Sequence, residues 1–136
     1  MLSLDDNAEV MKTFKKYFFL KASPADVYNA LVNPVMIEIW TGEKAVMSEE
    51  PGSEFSLWDG SISGKNVGFV QNEQLVQEWY FGEDEPPSQV ILKLHARNNG
   101  TDLEVHQTNI PDEAFENIAD GWVIDYIGGL KQLFEE

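Results

Sequence analysis

Between Lys44 and Ile110 the apolar side chains recur with a period of two. Turn signals punctuate the run at Glu50-Pro51-Gly52, Asp59-Gly60, Gln71-Asn72, Glu83 to Pro87 and Asn98-Asn99-Gly100. After Pro111 the period becomes 3.6, and Phe115, Ile118, Trp122, Tyr126, Leu130 and Leu133 form one stripe about 18 residues long. A run of strands followed by one long amphipathic helix leaves few ways to bury both apolar faces. The sheet has to curl around the helix, and such an α+β arrangement often keeps a cavity between the two.

The residues before Lys44 complete the plan. Lys12 to Lys21 reads as a first strand, rich in aromatic residues, with Phe14, Lys16, Phe18 and Leu20 alternating against Lys15, Tyr17, Phe19 and Lys21. Its four lysines form a neutralising face inside an acidic protein. Ser23-Pro24-Ala25-Asp26 supplies an N-cap, a proline at the first helical position and an acid two residues later, and Asn33-Pro34 repeats the start signal. The expected order is one strand, two short helices, six antiparallel strands and the long helix, in one domain over residues 10–136 behind a tail at 1–9.

The hairpin signals fix expected registers. A two-residue turn at Asp59-Gly60 pairs Trp58 with Ser61, Leu57 with Ile62, Phe55 with Gly64 and Glu54 with Lys65. A turn at Asn99-Gly100 pairs Leu94 with Val105 and Ala96 with Leu103 on the apolar face. It pairs Lys93 with His106, His95 with Glu104 and Arg97 with Asp102 on the polar one.

Charge and composition exclude whole classes of function. With 9 Lys and Arg against 24 Asp and Glu, the 136 residues carry −15, a field that repels phosphate backbones and anionic lipid headgroups. Neither nucleic acid nor membrane is expected as a partner. No cysteine is present, which removes disulfide scaffolds and thiol catalysis. No apolar run approaches the ~18 residues of a spanning helix, so a cytoplasmic, monomeric protein is expected.

No catalytic set, metal site or cofactor is expected. His95 and His106 fall on the polar strand face; Glu83-Asp84-Glu85 precedes Pro86-Pro87 in a loop with nothing apolar to raise a pKa; Gly60, Gly64 and Gly68 lie within a hairpin rather than between strand and helix. The interior is more informative. Trp40, Phe55, Leu57, Trp79, Trp122 and Tyr126 are expected to converge under the C-terminal helix, and strand parity also turns Gln77 and Gln107 inward, two amides that need hydrogen-bond partners once buried. Gly64 opposite Phe55 is expected to leave room there. These eight residues are the candidate lining of a cavity for a small hydrophobic ligand.

Several segments together carry a family resemblance: Phe55 to Gly64, Leu75 to Trp79, Thr108-Asn109-Ile110-Pro111, Gly121-Trp122, Tyr126, Leu130-Lys131 and Phe134. With Ser23-Pro24, Tyr28 and Trp40-Thr41, they resemble the activator of heat-shock protein 90 ATPase homologues, and most closely that co-chaperone's C-terminal domain. The resemblance runs over roughly residues 12–136. It implies the START-like, Bet v-type helix-grip fold of the SRPBCC superfamily, and a non-enzymatic co-chaperone-like domain whose partner is a heat-shock protein 90 homologue. The family's two-domain members rely on a separate N-terminal domain for their main chaperone contact and much of the ATPase stimulation, a domain this sequence is expected to lack. Asn109 stands where the family usually has a glycine. The acidic loop Glu83, Asp84 and Glu85 is the candidate partner surface, since an acidic face seeks a basic one.

Overall fold

A computed structural model describes residues 11–81 and 86–135. Strand β1 (Met11–Leu20) leads into helices α1 (Pro24–Val32) and α2 (Pro34–Thr41), followed by β2 (Glu54–Leu57), β3 (Ile62–Val70), β4 (Gln74–Trp79), β5 (Ser88–Arg97) and β6 (Gly100–Pro111). The chain then winds through a 3-10 turn (Asp112–Ala114), α3 (Phe115–Asp120), a π-helical turn (Gly121–Tyr126) and α4 (Ile127–Glu135). These four pieces make up the long C-terminal helix. The helix starts are those the sequence specifies: Ser23 Oγ accepts from the Asp26 N–H (3.2 Å), and Asn33 Oδ1 accepts from the Val35 N–H (2.9 Å).

All six strands run antiparallel in the order β1-β6-β5-β4-β3-β2. The two edge strands are neighbours in sequence, so α1 and α2 must carry the chain from one edge of the sheet to the other. α1 packs over β5 and β6, and α2 against the C-terminal helix. Burial alternates strictly in β4 and along most of β5, with one face against the helices and the other to solvent. Two register shifts curl the sheet: Val67 is the extra residue where β3 meets β4, and Thr108-Asn109 together oppose Thr13 where β6 meets β1. Asn109 holds a φ of 62°, which explains the glycine usual there, and its side chain donates to the Pro87 carbonyl at 3.1 Å.

Four expectations need correction. Among the described residues five strands follow the helices, not six: the stretch after Lys44 makes only the isolated bridge Val46–Ser56, because Val46 faces solvent and Pro51 soon removes a backbone donor. The β2–β3 ladder has the expected register from Glu54–Lys65 to Leu57–Ile62, but Trp58 and Ser61 do not extend it. They belong to a four-residue loop of two overlapping left-handed turns, in which Gly60 N–H returns to the Leu57 carbonyl (3.2 Å) and Ser61 N–H to that of Trp58 (3.1 Å).

The β5–β6 register is shifted by two, pairing Leu94 with Leu103, Lys93 with Glu104 and His95 with Asp102. The turn is Asn98-Asn99, with Asn99 at φ 69°, so Gly100 already pairs with Arg97. Finally, Gly64 leaves no vacancy. A Cβ there would fall on the Glu78 carbonyl and the Phe55 ring, so the missing side chain is a close approach of backbone and ring.

The π turn has a cause that is visible in the stripe. Ile118, Trp122, Tyr126 and Leu130 are spaced by four three times running. At 3.6 residues per turn that spacing drifts by roughly 120° over 12 residues, which would carry Leu130 off the core. A wider turn from Gly121 to Tyr126 absorbs the drift, and Trp122, Tyr126 and Leu130 are all buried.

Candidate functional site

The inward faces of β3, β4 and β6 carry three buried amides. Trp79 Nε1 donates to Gln77 Oε1 (2.9 Å), Gln77 Nε2 to Asn66 Oδ1 (2.9 Å), and Asn66 Nδ2 to Ser53 Oγ (3.0 Å) and the Ser48 carbonyl (3.2 Å). Trp79 and Gln77 each donate to one acceptor and Asn66 to two oxygens, so the relay fixes the orientation of the Gln77 and Asn66 amides and holds the Trp79 indole in place. A second pair crosses from sheet to helix, where Trp122 Nε1 donates to Gln107 Oε1 at 2.7 Å. Gln107 Nε2 is the one buried side-chain nitrogen or oxygen without a partner among the described residues.

These anchored indoles build an aromatic layer. Trp79 and Trp122 stack at 4.9 Å with their planes 17° apart; Tyr126 lies 4.5 Å from Trp122 and 4.9 Å from Trp40. Trp40 is held by its own bond to the Ala30 carbonyl (2.8 Å). Gly129 lets α4 come close: a Cβ there would stand 2.8 Å from the Trp40 carbonyl oxygen. Trp58 closes the layer edge-on, 5.7 Å from Trp40 and 6.1 Å from Tyr126, so all four tryptophans of the chain join one cluster. Burial pushes the Tyr126 phenol well above its ordinary range and keeps it neutral.

The eight candidate cavity residues are all buried, and the structure separates them into two groups. Trp40, Phe55, Leu57, Gln77 and Gln107 lie in the core. Trp79, Trp122 and Tyr126 also form one wall of a half-open groove of about 750 Å³ between the β2–β3 loop, the end of β4 and the C-terminal helix. Its other aromatic walls are Trp58, Tyr80 and Phe81, and Glu43, Asp59 and Asp125 line it as well. The pattern of alternation assigned Trp58 and Asp59 to a hairpin tip and missed their part in the groove. The available signal was a tryptophan in a turn otherwise made of Asp, Gly and Ser. Glu83, Asp84 and Glu85, the candidate partner surface, lie outside the described residues.

The two histidines lie on the far side of the sheet from this groove, on β5 and β6. His95 Nε2 sits 2.8 Å from Glu104 Oε1, and Lys15 Nζ is 3.7 Å from the other carboxylate oxygen. The hydrogen bond with His95 holds the Glu104 carboxyl below the ordinary range despite its burial, with Lys15 and Lys93 adding to the effect. Among the described residues no three His, Asp or Glu side chains cluster as a metal site would require. No helix there is long and apolar enough to cross a membrane.

Comparison with known proteins places this architecture. The solved structure of an HSP90 activator from Plasmodium falciparum superposes with a TM-score of 0.81 at 22% identity, covering 89% of this chain and 94% of that one. At that identity it speaks for the fold. A curated relative from Dictyostelium discoideum, described as an activator of 90 kDa heat shock protein ATPase homolog, is 30% identical over 126 residues, 90% of this chain and 33% of its own length. A second, from Mus musculus, described as homolog 2 of the same activator, is 24% identical over 111 residues, 80% of this chain and 34% of its own. The chain thus spans about a third of the length of the curated relatives it matches. Residues 21–135 match the family described as activator of Hsp90 ATPase homolog 1-like protein, and the chain belongs to that family.

Proposed function

We propose that this chain is a non-catalytic binding domain that acts through its surface on a heat-shock protein 90 homologue. The observation that carries this reading is the family match, which runs through 21–135 and so takes in both short helices, strands β2 to β6 and the C-terminal helix. The charge of −15 supports it by favouring a basic partner surface. In this reading the domain works as a monomer in the cytoplasm, and the acidic segment Glu83-Asp84-Glu85 takes part in the contact.

The test is an amide NMR spectrum of the labelled protein with and without the chaperone homologue of the same organism. Selective broadening of an acidic surface, weakened by salt and by Glu83→Lys with Glu85→Lys, is the expected result. An unchanged spectrum at high micromolar chaperone sinks the proposal.

The groove beside Trp58 favours a second reading, a carrier or sensor of a small hydrophobic ligand. Its volume of about 750 Å³ and its aromatic walls fit a compact apolar molecule. Native mass spectrometry of the purified protein, followed by a thermal-shift screen with apolar ligands, tests it, and a failure of both to find a ligand removes it.

A further inference from the structure

The groove is charged as well as aromatic. Six of its lining side chains are aromatic and three, Glu43, Asp59 and Asp125, are carboxylates; none is basic. Every Lys, Arg and His of the chain lies among the described residues, and none of these basic side chains lines the groove. The salt bridges among the described residues engage Asp102, Glu104 and Asp112 and leave these three carboxylates out. An anion is repelled by such a lining, and a neutral ligand makes no use of its charge. A cation is attracted twice, by the carboxylates and by the negative faces of the rings.

The backbone supports the same reading. Trp58 and Asp59 sit at φ of 51° and 53°, a left-handed conformation that is a genuine outlier for a side chain as bulky as an indole. Glycines would make these turns without strain. The chain instead has one indole and one carboxylate there, and both line the groove. Residues held this way persist where the surroundings enforce them, and they concentrate at ligand sites.

We propose that the groove binds a small organic cation: a quaternary or protonated tertiary ammonium group carried on an apolar or aromatic body. The volume of about 750 Å³ lies well inside the span of small-molecule sites and suits a whole molecule rather than one side chain of a protein partner. The proposal rests on the ligand-carrier reading for the groove being occupied at all, and adds the charge.

The experiment is an NMR titration of the indole N–H signals with four probes. Choline and benzyltrimethylammonium supply the cation, 3,3-dimethylbutanol is the uncharged isostere of choline, and benzenesulfonate is the anion. The expected result is saturable shifts at Trp58, Trp79 and Trp122, smaller ones at Trp40, and binding of choline at least about tenfold tighter than of its isostere. Salt should weaken the ammonium probes. Asp59→Asn tolerates the left-handed backbone and removes only the charge, so it should cost about fivefold in affinity while leaving the fold intact. Equal binding of choline and its isostere, or preference for the sulfonate, overturns the charge assignment and leaves the ligand-carrier reading standing. Silence from all four probes overturns the cation proposal, while the ligand-carrier reading falls only with the mass-spectrometry and thermal-shift tests above.

Discussion

The two ends of the helix–sheet interface are built by different rules. Around Leu20, Leu31, Leu92, Leu103, Ile110 and Leu130 the interior is aliphatic and fully buried, and the buried polar side chain opposite Leu20, Thr101, is matched by donating to the Ala22 carbonyl at 2.7 Å. Around Trp58, Trp79, Trp122 and Tyr126 it holds indoles, a buried phenol, an amide nitrogen with no partner, a π turn and two left-handed non-glycine residues. Departures from local preference that gather in one place are the usual mark of a site, whereas a region that only has to hold the fold together can satisfy every preference at once. The aliphatic end holds the domain together, and the aromatic end is where a ligand would be read.

Truncations at both ends test that contrast most strongly. Trp122→Ala should cost about 3–5 kcal/mol in a denaturant melt, through lost packing and a stranded Gln107 amide, and Leu103→Ala about 2–5. The two then differ in their coupling. Gln107→Leu alone orphans the Trp122 indole and should cost about 1–3 kcal/mol, but combined with Trp122→Phe it should cost less than the sum of the two single changes. Strict additivity would mean that the sheet–helix hydrogen bond carries no weight and that the contrast lies in packing alone.

Two glycines on the same helix sharpen it further. Gly129→Ala drives a Cβ to 2.8 Å from the Trp40 carbonyl oxygen and should destabilise by about 1–3 kcal/mol, outweighing the gain in helix propensity. Gly121→Ala meets nothing within 4 Å at a helical φ of −60°, and should stabilise by up to about 1 kcal/mol. Asp59→Gly releases the left-handed strain and should stabilise by about 1 kcal/mol. A fall in melting temperature for Asp59→Gly would show that the loop is held by contacts of the carboxylate rather than held for the sake of the groove.

How far the sequence made this legible follows from the same contrast. Face assignments survived even where the register did not. In β5–β6 a shift of two residues keeps every side chain on its side of the sheet. The expected His95–Glu104 and Arg97–Asp102 contacts therefore persist as diagonals, at 2.8 and 3.2 Å. The inward turn of Gln77 and Gln107 was readable by parity alone. The groove was not, because it depends on backbone that no alternation encodes: the left-handed run at Trp58 and Asp59 takes two side chains out of the ladder. The π turn lies between these cases. Its signal, three successive spacings of four in the apolar stripe, is plain once a straight helix is drawn through it and found to miss.

The solvent face of the sheet supplies the smallest expected effect and a control for the rest. Glu104 is nearly buried there, and its carboxyl is held below the ordinary range chiefly by the hydrogen bond with His95, against the cost of burial, with Lys15 and Lys93 assisting. A group whose folded pKa lies below its unfolded one binds fewer protons when folded, so it contributes stability above the unfolded value and loses it as pH falls through the folded one. Glu104 therefore stabilises fully at neutral pH, and its contribution disappears below the usual carboxylate range. Because His95 is about half exposed, that contribution should be no more than about 1 kcal/mol. Glu104→Gln should lower the melting temperature at pH 7 and flatten the acid limb of the stability curve, while leaving the response of Trp58 and Trp122 to choline unchanged. A change in that response would mean the two faces of the sheet are coupled, and that the groove is not set by its own walls alone.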